Sequence, residues 1–132
     1  MVVLDASVAV MLALREPGSE AADALLLGEM LVAPDLILAE VGNALWRKAR
    51  LGAVSREDAA EALLEIRRLF TTLTPLDLLH AHALALALRR DHLVYDCFYV
   101  ALALREGAPL VTADRRLAER FADDAEIRLL AA

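Results

Sequence analysis

A chain of 132 residues with 59% apolar and 26% charged side chains has the size and balance of one globular domain, and we expect a single domain over residues 1–132. No apolar run approaches the ~18 residues of a membrane span, and the N-terminus lacks the basic segment of a signal peptide, so we expect no membrane association. The single cysteine, Cys97, excludes an internal disulfide and is typical of a cytoplasmic protein.

The net charge of −6 argues against a nucleic-acid partner without excluding one. All the basic residues except Lys48 are arginines, whose planar guanidinium groups hold phosphates well. If four carboxylates hold metal ions, taking their charges from −6 leaves only −2. The apolar excess predicts that part of the surface is buried against a partner chain, and a homodimer is expected.

The first half of the chain predicts two strands and four helices. The run Val2-Val3-Leu4 ends in Asp5 and is typical of a buried strand. Ser55 with Asp58 three residues later resembles a capping box at the start of a helix. The predicted elements are strands at 2–5 and 31–33, and helices at 6–14, from 19 to about 28, from 34 to about 51 and from 55 to about 69.

The second half predicts three more strands and three more helices. A β-branched stretch at 71–74 and an apolar run at 110–112 favour strands, and a final strand is expected at 127–130. Helices are expected after Pro75 as far as Arg90, from about 94 to 106 and from about 114 to 121. Short strands that alternate with helices predict an α/β fold, with a short parallel sheet flanked by helices on both faces.

Two acidic residues follow strands of this sheet. Asp5 ends the first strand, and Asp114 comes two residues after the strand at 110–112. Ligands of parallel sheets bind beyond the carboxyl ends of the strands, so both side chains are expected at one rim. Each residue taken alone could equally be a helix cap.

Two further acids lie inside helices without a basic neighbour. The residues three and four positions from Glu40, Asn43 among them, are not basic, although Glu40 alone could face solvent. Asp96 is the only charged residue between Asp91 and Arg105, in a helix that is apolar nearly all round. A buried carboxylate is costly unless it is paired or binds metal, although Asp96 alone could cap its helix. Four such oxygen ligands at one rim favour Mg²⁺ or Mn²⁺.

Four segments in order span nearly the whole chain: LDASV at 4–8, EVGNAL at 40–45, YDCFYVALA at 95–103 and LVTADRRL at 110–117. Together they resemble the PIN domain, and in particular the VapC-type toxins of toxin–antitoxin pairs. The departures are mild, since Cys97 and Phe98 stand where small or aliphatic residues are frequent.

The resemblance implies an activity and a set of site residues. Asp5, Glu40, Asp96 and Asp114 would coordinate Mg²⁺ or Mn²⁺, with Asp114 the least dependable ligand of the four. Glu40 could bind metal directly or orient the attacking water, and polar residues beside the four acids are Ser7, Asn43 and Thr112. The implied protein is an endoribonuclease toxin that hydrolyses RNA phosphodiester bonds with metal-activated water, and a cognate VapB-like antitoxin holds it in check.

A second hypothesis is a PIN-like binding module with negligible turnover, which acts through antitoxin binding and dimerisation and binds no metal. An antitoxin is expected to insert a basic residue, such as arginine, toward the acidic rim, with apolar side chains in a groove between helices. His92 is interpreted as a local hydrogen-bond partner of Asp96, and Cys97 as a buried inert thiol. Candidate contacts to RNA phosphates are Arg15, Arg47, Arg115 and Arg116.

Overall fold

The computed structural model describes residues 1–130, and these form five β-strands and seven α-helices. The strands are β1 (Val2–Leu4), β2 (Leu31–Pro34), β3 (Thr72–Thr74), β4 (Leu110–Thr112) and β5 (Ile127–Leu129). The helices are α1 (Ala6–Leu14), α2 (Ser19–Leu26), α3 (Leu36–Arg50), α4 (Arg56–Leu69), α5 (His80–Arg90), α6 (Val94–Glu106) and α7 (Arg115–Arg120).

All the strands pair in parallel in the order β3-β2-β1-β4-β5. The central strand β1 is bordered by β2 on one side and β4 on the other, with Val3 opposite both Val32 and Leu110. The strand order therefore reverses between β1 and β4. In an open parallel sheet this switch point leaves a crevice at the carboxyl ends of the strands, where ligands bind.

The helices form two layers around the sheet. Helix α1 packs against α2, α3 and α4, whereas α5 packs against α6, which lies on β1 and β2. The strands β1 and β4 are buried throughout, as their apolar sequences require of strands covered on both faces. The predicted α/β fold is confirmed.

The helix predicted to follow Pro75 begins one turn later than expected. Leu76–Leu78 form a short 3₁₀-helix, and α5 begins only at His80. The backbone N–H groups of Leu78 and Leu79 bond to carbonyls three residues back, and the backbone of Leu79 departs from helical geometry at φ −118° and ψ −20°. Because Leu79 is buried there, the tertiary packing outweighs the local helical preference. Among residues 1–130, none of the helices has the length and apolar character needed to cross a bilayer.

Candidate active site

Asp5 lies at the end of β1, where the chain turns into α1. Its carboxylate caps α1 by accepting the backbone N–H of Val8 at 3.2 Å, and the residue is only 6% exposed. Burial raises the pKa of Asp5 from 3.8 to about 6, and the charge of Asp96 adds to this, although the hydrogen bonds that the carboxylate accepts oppose the rise. The ionised Asp5 is therefore a costly charge for the folded protein.

Two hydroxyl groups hold the Asp5 carboxylate and tie β1 to β4. The Ser7 hydroxyl donates to Asp5 Oδ1 at 2.5 Å and accepts the backbone N–H of Ala113 at 3.1 Å. The Thr112 hydroxyl donates to Asp5 Oδ2 and accepts the backbone N–H of Asp114 at 3.0 Å. This follows from the register, because Leu4 is opposite Val111 and the next step along both strands brings Asp5 level with Thr112. Each hydroxyl donates to Asp5 and accepts one backbone N–H group, and the two together fix the rim between the strands.

Asp96 lies in the first turn of α6 and is partly buried. His92, one turn earlier in the chain, places its Nε2 atom 2.7 Å from Asp96 Oδ2, so the expected local hydrogen bond is confirmed. The imidazole is buried and meets the ring of Phe121 edge-on, with 5.3 Å between centroids. Asp96 is thus held by a ring that is itself fixed by packing.

Glu40 projects from the middle of α3, where a tyrosine of α6 reaches it. The Tyr99 hydroxyl donates to Glu40 Oε1 at 2.6 Å, and Tyr99 is almost completely buried. Burial raises the pKa of Glu40, and the charge of Asp96 raises it as well, while the tyrosine hydrogen bond lowers it. The pKa of Tyr99 is raised by burial, by Glu40 and by the nearby charges of Asp5 and Asp96. The tyrosine hydroxyl therefore stays protonated and acts as a donor.

The structure brings Asp5, Glu40 and Asp96 around Tyr99, close enough that the charge of Asp96 raises the pKa of Asp5 and of Glu40, and that all three charges raise the pKa of Tyr99. Asp114 belongs to the same rim through its backbone but turns its carboxylate to its own helix. Its Oδ1 caps α7 by accepting the backbone N–H groups of Arg116 and Leu117 at 3.0 and 3.2 Å. Asp114 is thus a helix cap, which was one of the two interpretations of its sequence position. The Oδ2 atom of Asp114 makes no hydrogen bond within residues 1–130.

No lysine or arginine in residues 1–130 lies within ion-pair distance of Asp5, Glu40, Asp96 or Asp114. The donors gathered here are carboxylate and hydroxyl oxygens, which are the ligands that Mg²⁺ and Mn²⁺ prefer. Among residues 1–130, no group of three aspartate, glutamate, histidine or cysteine side chains has the geometry to hold a metal ion. The residues fit a hard divalent cation by chemistry and charge, with bound water completing the coordination.

The remaining candidates from sequence occupy different places. Asn43 is exposed one turn beyond Glu40 on α3 and makes no side-chain hydrogen bond within the described residues. Arg15 pairs with Asp23 at 2.6 Å.

Tyr99 was missed as a site residue, although a tyrosine three positions after Asp96 in an otherwise apolar helix was the available signal. Cys97 is buried, and burial raises the pKa of its thiol to about 11, which agrees with an inert thiol.

Comparison with known proteins assigns the fold to a family. The sequence model of the PIN domain matches residues 2–122. The chain therefore belongs to the PIN-domain family.

Within that family it is similar to VapC proteins. It is 39% identical to Ribonuclease VapC3 of Pyrobaculum aerophilum over 126 residues, which cover 90% of this chain and 93% of that protein. It is 37% identical to Ribonuclease VapC12 of Mycobacterium tuberculosis over 131 residues, covering 99% of this chain and all of the relative.

Solved structures agree with this placement. The crystal structure of PAE2754 from Pyrobaculum aerophilum superposes with a TM-score of 0.67 at 32% identity, covering 90% of this chain and 84% of that one. VapBC2 from Rickettsia felis, solved bound to a DNA fragment from its promoter, superposes with a TM-score of 0.68 at 13% identity over 99% of this chain and all of that one. At that identity the second likeness shows the fold alone.

Proposed function

We propose that the chain is a Mg²⁺- or Mn²⁺-dependent endoribonuclease, the toxin of a toxin–antitoxin pair, with Asp5, Glu40, Asp96 and Asp114 as its site residues. The observation that carries the proposal is the set of strand-end and helical carboxylates held by neutral donors without a cation partner. Its relatives at 37–39% identity are named ribonucleases, which supports RNA as the substrate.

A bound divalent cation would supply Lewis-acid stabilisation of charge on the scissile phosphate and would lower the pKa of bound water. Asp5 and Asp96 would hold it, since each has a carboxylate whose geometry is already fixed by neighbouring donors. Ser7 and Thr112 orient Asp5, and His92 orients Asp96.

Glu40 is positioned to accept a proton from the attacking water. Its Oε1 atom accepts the Tyr99 hydroxyl, which leaves Oε2 to accept a hydrogen bond from the attacking water. Burial raises the pKa of Glu40 above its ordinary value, which makes its carboxylate a better proton acceptor. Asp114 keeps one oxygen on α7 and leaves Oδ2 for a water of the metal or for the metal itself.

The proposal is tested with purified protein and end-labelled single-stranded RNA in the presence of Mg²⁺ or Mn²⁺. We expect internal cleavage that stops on chelation and is lost in Asp5→Asn and in Asp96→Asn. Full activity in both variants, or undiminished cleavage in a chelator, would overturn it. DNA of the same sequence serves as the substrate control.

An antitoxin is the partner that the surface favours. A groove of ≈ 480 Å³ between α1, α2 and α4 is lined by the apolar side chains of Leu12, Leu26, Leu27, Leu31 and Leu69, and Leu27 is 86% exposed. We propose that it accepts the apolar side chains of an antitoxin segment, whose basic residue reaches the acidic rim. Co-purification with the product of an adjacent small reading frame, lost in Leu27→Asp, is the expected result. An inhibited complex that forms equally well with the Leu27→Asp variant would contradict this placement.

A homodimer is proposed through the outer face of α5, where Leu84 and Leu88 are exposed beside Leu93. Light scattering should give twice the mass of the chain, and Leu88→Asp should shift the protein to a monomer. If the antitoxin complex and the homodimer both form while the protein binds no divalent metal, the result favours the binding-module hypothesis over the enzyme.

A further inference from the structure

An open cleft of ≈ 480 Å³ lies between the end of α5 and helix α7. It is lined by six charged residues, four of them arginines: Arg89, Arg90, Arg116, Glu119, Arg120 and Asp123. In a chain with a net charge of −6, a cleft that gathers four guanidinium groups against two carboxylates is a local reversal of charge. Such a concentration of like charges is unfavourable unless something offsets it.

One carboxylate orders part of this cleft without neutralising it. Asp124, whose side chain is 9% exposed, accepts hydrogen bonds from Arg89 at 2.7 Å and from Arg90 at 2.8 Å. The two guanidinium groups share this single anion, and the side chain of Arg89 remains 58% exposed, so part of its guanidinium group is open to solvent. Arg116 has no carboxylate within ion-pair distance in residues 1–130. Arg120 donates to the backbone carbonyl of Arg90 at 2.8 Å, so the donors that stay available in the cleft are those of Arg116 and the exposed part of Arg89.

The cleft adjoins the acidic site. Arg90 precedes His92 by two residues, and the His92 ring separates Asp96 from Phe121, which directly follows Arg120. On the other wall, Arg116 follows Asp114 by two residues. Residues of both walls of the cleft thus lie within two positions of residues that form or hold the acidic site.

We infer that the cleft binds backbone phosphates of the RNA on one side of the scissile bond, an inference that rests on the proposed function. Guanidinium groups match phosphate oxygens through paired N–H donors, and contacts of this kind position a nucleic acid without reading its sequence. They also explain how a chain with a net negative charge and an acidic site retains a polyanion beside that site.

Binding is measured by fluorescence anisotropy with a labelled single-stranded RNA, in the Asp5→Asn background so that the RNA stays intact. Arg116→Ala and Arg89→Ala should each weaken binding several-fold and lower the slope of log affinity against log salt by about 0.7, the value for one phosphate contact on a single strand. Arg67→Ala, an exposed arginine of α4, is the matched control and should change neither quantity. Arg116 is the cleaner probe because its loss leaves no carboxylate unpaired.

Unchanged affinity and salt slope in both cleft variants, in a protein that cleaves RNA with its wild-type site, would overturn the cleft inference alone. A wild-type protein that neither binds nor cleaves RNA would instead overturn the proposed function. Competition by an acidic peptide but not by RNA would assign the cleft to a protein partner and contradict the inference.

A second inference comes from one buried nitrogen. The Nδ1 atom of His92 has no hydrogen-bond partner within residues 1–130, and the side chain is 3% exposed. A proton on Nδ1 would be a buried donor without an acceptor, which is expensive. The ring therefore carries its proton on Nε2, where it donates to Asp96 Oδ2 at 2.7 Å.

The geometry points to His92 as a positioning residue for Asp96. The imidazole fixes the carboxylate through its Nε2–H donor, whereas a lysine or arginine in the same place would cancel the charge of Asp96. Its own orientation is fixed by the edge-on contact with Phe121. Asp96 Oδ1 makes no hydrogen bond within residues 1–130 and is left to bind a ligand of the site.

Titration calorimetry with Mn²⁺ tests this role through two variants. His92→Leu should lose about 10- to 100-fold in Mn²⁺ affinity, as is typical when an outer partner of a metal ligand is removed. His92→Gln, whose amide N–H can replace the Nε2 donor, should recover most of the loss. Thermal melts check that both variants are folded.

The position of the proton on His92 is measured separately, by ¹⁵N spectra of the histidine ring in the wild-type protein. These spectra should show a protonated Nε2 and an unprotonated Nδ1. A protonated Nδ1, or a folded Leu variant that binds Mn²⁺ as tightly as wild type, would refute the inference. Absence of Mn²⁺ binding by wild type would instead count against the proposed function.

Discussion

Two groups of carboxylates in this protein are held in opposite ways. Asp5 follows β1, and Glu40 and Asp96 reach the same edge of the sheet from helices; these three, called the strand-end acids below, are fixed by hydroxyl, phenol and imidazole donors. The acids on the periphery are fixed by cations: Asp23 by Arg15, Glu16 by Lys48, and Asp124 by Arg89 and Arg90.

The two arrangements shift pKa values in opposite directions. Burial raises the pKa of Asp5 and of Glu40, whereas arginine partners lower the pKa of Asp23 and of Asp124. A cation partner stabilises a carboxylate and cancels its charge. A neutral donor orients and partly stabilises the carboxylate but brings no opposite charge, so the negative charge remains available to a ligand. The burial of Asp5 and of Glu40 therefore costs stability in the free protein, as a preorganised cation site does.

The largest effect is expected for loss of a strand-end acid. Asp5→Asn and Asp96→Asn should each reduce RNA cleavage by more than about 100-fold, because removal even of an outer partner of a metal ligand costs up to about that much. Glu126→Gln, which removes only an exposed carboxylate paired with Arg128 at 3.3 Å, should leave cleavage unchanged. Initial rates under single-turnover conditions distinguish these outcomes. Equal losses of cleavage activity in all three variants would contradict the distinction between the strand-end acids and the peripheral acids.

The same Asp5→Asn change should stabilise the metal-free protein at neutral pH. The folded-state pKa of about 6 lies above the ordinary value of 3.8, so the favourable contribution of protonated Asp5 is complete below about pH 4 and is lost as the pH rises through about 6. Wild type should therefore be less stable than the variant at pH 7 by up to about 3 kcal/mol, and the difference should vanish near pH 4. Asparagine caps a helix as well as aspartate does, so the cap is preserved.

Urea denaturation in a chelator at both pH values measures that difference. A gap between the two proteins that does not change with pH would contradict the assigned cost of the Asp5 charge.

A smaller effect is expected when the acid stays and its neutral donor is removed. Thr112→Val keeps the shape of the side chain but deletes the hydroxyl that donates to Asp5 and accepts the N–H of Asp114. Cleavage should fall by about 10- to 100-fold. Thr74→Val, at a buried threonine at the end of β3, is the matched control and should retain activity. Similar rates for the two valine variants would show that the hydroxyl of Thr112 plays no part.

The smallest effect belongs to the cation-held group, and its sign is reversed. Asp124→Asn should destabilise the protein by about 1 kcal/mol or less, as is usual for ion pairs near a surface. Because the pKa of Asp124 is lowered by Arg90 and Arg89, its contribution is present at neutral pH and is lost on acidification. Chemical denaturation across the acid range measures this. A stabilised Asp124→Asn variant would contradict the proposed difference between the groups.

Much of the fold could be predicted from local pattern. The apolar runs of β1 and β4 and the proline and glycine signals gave the alternation of strands and helices, and with it the rim where Asp5 and Asp114 lie. The 3₁₀ turn at Leu76–Leu78 could not be predicted, because the burial of Leu79 by distant residues interrupts an otherwise helical stretch.

The site could be predicted as residue types but not as a set of contacts. The lack of cation neighbours around Glu40 and Asp96 is visible in the sequence, and the bond from His92 follows from helical spacing. The donor to Glu40 comes from a residue 59 positions away, Tyr99, and the hydroxyl of Thr112 reaches Asp5 across 107 positions. Such pairings depend on how the helices and strands pack. The turn of the Asp114 carboxylate onto α7 likewise depends on the local geometry that follows β4.

The central claim is that the strand-end acids keep their charge for a divalent cation. Its most direct test is calorimetric titration of Mn²⁺ into the wild-type protein and into Asp5→Asn, Asp96→Asn and Asp124→Asn. We predict saturable binding by wild type and by Asp124→Asn, and its loss in both strand-end variants. Absence of binding by wild type, or equal binding by all four proteins, would contradict the claim.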